Sequence, residues 1–150
     1  VNPFFSTQTR IQILIEQASR WKGTPFCHHA SSIGHGVDCV HLACEIYSPC
    51  GFTVWGPAMP QYTMDGGIKL DESLLERYIN CCGNFSSILV TETLPGDLLL
   101  FKTGRVTHHV GVKTLGNRFV QAIKKFGVIE TELHGTFFRA LAKAFRPMEG

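Results

Sequence analysis

Cys39 stands in the run Gly36-Val37-Asp38-Cys39-Val40-His41-Leu42, just ahead of a helical pattern, and a His109-Val110-Gly111-Val112 segment follows far downstream. A thiol at a helix N-terminus meets the positive end of the helix dipole and backbone N–H groups without intrahelical acceptors. Both favour the thiolate, the nucleophilic form, and a nearby imidazolium favours it further. A cysteine at a helix start with a histidine on a later strand therefore reads as the nucleophile and base of a cysteine hydrolase. His108 competes with His109 for the second role. Neighbouring strand residues point to opposite faces, so only one of the two can meet the sulfur. The Val-Gly that follows favours His109.

Those side chains need a scaffold, and the composition supplies one. With 150 residues, 44% hydrophobic and 17% charged, the chain predicts a single domain with a core of its own and excludes disorder. A net charge of +2 with no Lys/Arg run gives no case for a nucleic-acid partner. No apolar run reaches the length of a membrane span, and no signal-peptide pattern opens the sequence, so synthesis in the cytoplasm is expected. Six cysteines (27, 39, 44, 50, 81 and 82) permit a disulfide framework, but a core this large needs no staples, and free thiols are expected.

Along the chain, Ser6 to Thr9 offers helix-starting residues, and Thr9 with Gln12 fits a capping box. Ile11, Leu14, Ile15 and Ala18 recur at helical spacing up to Trp21-Lys22-Gly23. Residues 23–38 read as loop. A second helix opens at Asp38, a natural N-cap, with Val40, Ala43, Cys44 and Tyr47 inward, and stops at Pro49 and Gly51. Residues 52–68, with Trp55, Met59, Tyr62 and Met64, predict an ordered loop beside a groove. Asp71 caps a third helix carrying Leu74, Leu75, Tyr78 and Ile79, stopped by Gly83. From Pro95 the pattern turns to short strands at 98–101, 108–114, 118–123, 127–133 and 138–145, joined as an antiparallel meander. Helices first and strands later is an α+β arrangement, with N-terminal helices packed on a C-terminal antiparallel sheet.

The hairpin about Leu115-Gly116-Asn117 carries the third element of the site. A three-residue loop pairs residues whose numbers add to 230 or 232, which puts His109 opposite or diagonal to Gln121 on one face. The Gln121 amide oxygen can then accept from one ring nitrogen while the other faces Cys39, the orienting role of a triad's third member.

Here the chain resembles the NlpC family of papain-like cell-wall peptidases. The resemblance rests on Trp21-Lys-Gly-Thr-Pro-Phe26, Gly36-Val-Asp-Cys39, Pro95-Gly-Asp-Leu-Leu-Leu-Phe101, His109-Val-Gly-Val112 and Phe119-Val-Gln-Ala122, in family order. The Gly-Thr-Pro-aromatic-x-His-x-x-Ser stretch at 23–31 and the Ala-Phe-Arg-Pro tail at 144–147 look like the phage and gene-transfer-agent branch. The resemblance implies a papain-like fold and hydrolysis of a peptidoglycan stem peptide between γ-D-glutamyl and a diamino acid. It implies Cys39 as nucleophile, His109 as base, Gln121 as orienting residue and Asp38 as the acid holding the substrate's free amine. No metal or organic cofactor is implied, and the partners are the stem peptide and phage tail proteins. Action at the cell wall, as a virion component, goes with it. Phe26 stands where the family usually has Tyr, and Val40-His41 replaces a small Ser-Gly pair. His28 resembles a cleft residue of the phage branch, and Tyr62 borders the groove.

Other readings stay open. Cys27, His28, His29, His35 and Cys39 are all competent zinc ligands, although their spacing fits no structural zinc pattern. Gln121 could be a polar residue on an exposed strand face, and Cys81-Cys82 incidental. The same triad would serve an amidase or acyltransferase on another amide. A tail-assembly protein could keep the fold without turnover.

Overall fold

The computed structural model describes residues 2–54, 76, 79, 84–103 and 106–150. Helix α1 (Gln8–Trp21) is capped by Thr7, whose hydroxyl oxygen accepts from the Arg10 N–H at 3.3 Å, so the cap lies two residues before the Thr9 of the sequence reading. Leu14, Ala18 and Trp21 fall on one face at spacings of four and three and are buried together. The segment 23–38 is less irregular than its glycines suggest. It forms a small hairpin of β1 (Ser31–Ser32) and β2 (Gly36–Val37), and Phe26 bridges Val37 beside it.

Helix α2 (Cys39–Tyr47) buries Val40, Leu42, Ala43, Ile46 and Tyr47. A helix apolar around most of its girth must be covered on several sides. Here α1 lies on one side and the sheet on the other. That explains why Leu42 and Ile46 join the inward set, while Cys44 is only half-buried. A short 3-10 turn (Ser48–Cys50) and Gly51, at φ 93°, end the helix. Of the third helix read from sequence, Glu76 and Ile79 are helical and Ile79 is fully buried; Asp71, Leu74, Leu75, Tyr78, Cys81, Cys82 and Gly83 lie outside the described residues. So does the aromatic loop from Trp55 on.

The sheet contains β3 (Phe85–Ile88), β4 (Leu98–Thr103), β5 (Val106–Lys113), β6 (Arg118–Ile123), β7 (Gly127–Glu132) and β8 (Leu141–Pro147), in the order β3-β8-β4-β5-β6-β7, all antiparallel. Strands β4 to β7 are the meander read from the sequence. Two corrections concern its ends. Residues 135–140, partly assigned to the last strand, form a short helix α3 (Gly135–Ala140), and β8 turns back to pair with β4. The edge strand β3 carries little strand signal of its own and is ordered by β8. The main core lies between α1, α2 and one sheet face, and a smaller cluster of Leu99, Phe101, Phe119, Leu133, Leu141 and Ala144 fills the other.

One glycine ties the segment after α1 to the sheet. Gly127 has φ +71°, and a Cβ there would lie 2.4 Å from the Thr24 carbonyl oxygen and 3.2 Å from Pro25 Cα. The close approach lets the Val128 N–H donate to Thr24 O at 2.9 Å and the Gly23 N–H to Val128 O at 3.0 Å. Gly127→Ala adds left-handed strain to a backbone clash, and we expect a loss of about 2–4 kcal/mol in a denaturant melt. A change below about 0.5 kcal/mol would mean that the 24–25 segment yields freely.

Candidate active site

Asp38, the N-cap of α2, is 2% exposed. Its Oδ1 accepts from the His41 N–H at 2.9 Å, and its Oδ2 accepts from the His29 N–H at 2.7 Å. The first bond starts the helix, and the second pins the 27–30 loop across it. His29 takes φ 60°, a left-handed conformation uncommon outside glycine, and the Asp38 bond holds it there. The helix start fixes Cys39 as the first helical residue.

Cys39 is half-buried as a residue but its sulfur is turned inward, and the backbone N–H groups of Val110, Cys39 and Val40 point at it. The Val110 amide places the sulfur against β5, one residue along from His109. Strand pairing accounts for the access: the β5–β6 ladder is confined to Val112↔Val120 and Lys113↔Phe119, while β6 pairs with β7 along its whole length. Toward Val110, β5 is therefore not tied to β6, and α2 packs on both strands.

The hairpin register adds to 232, one of the two values read from the sequence. Extended by one pair, it sets Gly111 across from Gln121 and leaves His109 diagonal to Gln121. A Cβ at Gly111 would crowd the Phe119 ring at 2.8 Å, so no side chain stands between the two. The His109 Nε2 meets Gln121 Oε1 at 2.9 Å. Amide oxygen accepts only, so this bond makes Nε2 the protonated nitrogen and Nδ1 the basic one in a neutral ring. Gln121 is fully buried, and its Nε2 donates to Thr131 Oγ1 at 3.0 Å. The exposed-strand alternative for Gln121 is thereby removed. The Phe101 ring, across the strand pair from His109, packs against the imidazole at a centroid distance of 5.7 Å.

Electrostatically the sulfur departs from the sequence expectation. Burial pushes the Cys39 thiol up to about 12, and the Asp38 carboxylate adds to the rise; the three N–H groups oppose it and lose. The helix start does favour the anion, but α2 is packed on too many sides for that to win. Cys39 therefore rests as a thiol. We expect its alkylation by iodoacetamide, read site by site by mass spectrometry, to climb steadily from pH 7 to pH 10. A plateau reached below pH 7 would instead report a standing thiolate.

The remaining assigned residues surround this centre. Phe26 is half-buried against the main core beside Val37. His28 stacks on His29 at 3.9 Å, and burial, then His29, pull its imidazole below the ordinary value, with the Asp38 carboxylate opposing. The His41 Nδ1 bonds Asp38 Oδ1 at 2.9 Å, a contact that sequence reasoning missed. The signal was present, since a residue three past an N-cap can reach back to it. Tyr62 and the His108 side chain lie outside the described residues. Among the described residues no three His, Cys, Asp or Glu side chains are grouped as a metal site, and Cys27, Cys39, Cys44 and Cys50 stand outside any disulfide. No helix among them is long and apolar enough to cross a membrane.

Comparison with known proteins gives this geometry a context. Residues 23–146 match the sequence model of the NlpC/P60 family. A protein of Escherichia coli K12 described as a probable endopeptidase NlpC is 26% identical over 133 residues, covering 87% of this chain and 73% of that protein. A lipoprotein-like NLP/P60 family structure from Staphylococcus aureus superposes with a TM-score of 0.70 at 20% identity, over 99% of this chain and 44% of that one. The peptidoglycan hydrolase RipB of Mycobacterium tuberculosis gives 0.63 at 13%, over 95% of this chain and 66% of that one. These likenesses establish a papain-like α+β fold, and the chain spans less than half the length of the staphylococcal protein.

Proposed function

Because the chain belongs to the NlpC/P60 family, we propose that it is a cysteine peptidase of the cell wall that cuts peptidoglycan stem peptides between γ-D-glutamyl and a diamino acid. The observation that carries this reading is the His109–Gln121 bond of 2.9 Å on the strand whose next residue, Val110, aims its N–H at the Cys39 sulfur. The names of two relatives, a probable endopeptidase and a peptidoglycan hydrolase, support the substrate class.

Since the thiol rests protonated, His109 acts as a general base at the moment of attack. Its Nδ1 takes the Cys39 proton as the sulfur bonds to the amide carbonyl carbon. The carbonyl oxygen becomes an oxyanion, and the Cys39 N–H at the helix start is its donor, an interaction worth about 3 kcal/mol. The tetrahedral species collapses to a thioester as the imidazolium passes its proton to the departing amine. Water then attacks the thioester, with His109 again taking the proton, and the carboxylate product leaves the free thiol. Gln121 keeps the ring in its Nε2–H tautomer and in plane throughout. Asp38 receives the substrate's ammonium by a charge-assisted bond. Phe26 and His28 border the cleft. The reaction needs no metal or organic cofactor. The phage-branch likeness of residues 23–31 and 144–147 supports reading the protein as a phage tail or prophage product that acts alongside tail proteins.

The test is direct. Purified peptidoglycan, and a γ-D-glutamyl-diamino acid peptide with a free amino end, are incubated with the protein and new amines are counted. Release from both supports the assignment. Turnover of unrelated amides alone would replace it with an amidase or acyltransferase. An inert protein whose Cys39 resists alkylation at every pH would point to an assembly role.

A further inference from the structure

The Asp38 carboxylate is held by more than a helix cap requires. Capping needs one side-chain oxygen at one N–H, which the His41 N–H already supplies at 2.9 Å. The His41 ring then adds a second donor to the same Oδ1, its Nδ1 also at 2.9 Å. Both come from the first turn of α2, while Oδ2 is gripped from the loop by the His29 N–H at 2.7 Å. Two donors on one oxygen and one on the other fix the carboxylate's rotation as well as its place. The ring is itself confined: the His41 side chain is 20% exposed, the His29 ring lies 6.2 Å from it, and His28 stacks on His29. To donate to a carboxylate, Nδ1 must carry a proton, so the bond also sets the His41 tautomer in the neutral ring.

We propose that His41 is a positioning residue for Asp38, holding the carboxylate so that the site selects substrates with a free ammonium over those whose amine is blocked. This rests on the assignment of Asp38 to the substrate's amine. A carboxylate free to turn would lose directional contact with an ammonium, whereas a locked one meets it without reorganising. The His41 bond is invisible to a substrate that brings no cation.

The experiment compares a γ-D-glutamyl-diamino acid peptide with its N-acetylated form on wild type, His41→Leu and His41→Asn. Leucine keeps the bulk and removes the donor, and asparagine returns an N–H near the place of Nδ1. We expect wild type to prefer the free amine, His41→Leu to lower that preference about tenfold, mainly through KM, and His41→Asn to regain most of it. Thermal melts accompany each variant, and the asparagine protein decides if the leucine protein does not fold. Equal losses on both peptides, an unchanged ratio, or asparagine no better than leucine would overturn the role of His41. A wild type indifferent to acetylation would instead remove the assignment of Asp38, and the proposal with it.

Discussion

We expect Cys39→Ala to bring amine release from the γ-D-glutamyl-diamino acid peptide down by about 10⁴-fold or more, leaving only what the oxyanion donor and substrate binding still contribute. The substitution removes one sulfur and keeps every backbone group around it, including the N–H groups of Val110, Cys39 and Val40. Because the change removes a single atom from a residue that is only partly buried overall, the melting temperature should move by the equivalent of about 1 kcal/mol. Loss of activity with stability kept therefore isolates chemistry from folding. Cys39→Ser should be nearly as inert, since a hydroxyl is a far weaker acid than even this raised thiol. An alanine variant within tenfold of wild type would place the nucleophile elsewhere.

The second large effect belongs to the His109–Gln121 pair. His109→Ala should fall to within about tenfold of Cys39→Ala, and the double variant should be little worse than either, because residues that act as a unit lose activity once. Gln121→Leu should behave differently. It strips the His109 Nε2 and the Thr131 hydroxyl of a shared partner that is itself fully buried. We expect a stability loss of about 2–4 kcal/mol from the orphaned groups and a fall in kcat of about 10²-fold from an unheld imidazole. Gln121→Glu, which can still accept from Nε2–H, should recover part of the rate. Equal defects in the leucine and glutamate variants would reduce Gln121 to a core residue.

What could be read from the sequence was what short-range chemistry decides. Asp38 declares α2 because an N-cap needs only a carboxylate three residues before an N–H, and the bond to His41 has that spacing. The diagonal relation of His109 to Gln121 follows from a turn of known length, and the observed register agrees. The misses required knowledge of distant packing. The thiol's high proton affinity comes from burial between elements that the sequence lists separately. Residues 135–140 alternate too little to be told from a strand, and they become α3 where the chain crosses the second cluster. The bond between the His41 ring and Asp38 was open to the same spacing argument that found the cap.

The position of β8 bears on how the molecule comes to exist. It inserts between β3 and β4, and its last residues also bind the start of the chain, through Phe4 N–H to Pro147 O at 2.8 Å and the Pro3↔Met148 bridge. During synthesis the edge of β4 stays bare and β3 has no neighbour until the segment 141–147 has left the ribosome. The sheet is thus completed by β8, and a nascent chain carrying both Cys39 and His109 is still short of the sheet that holds them.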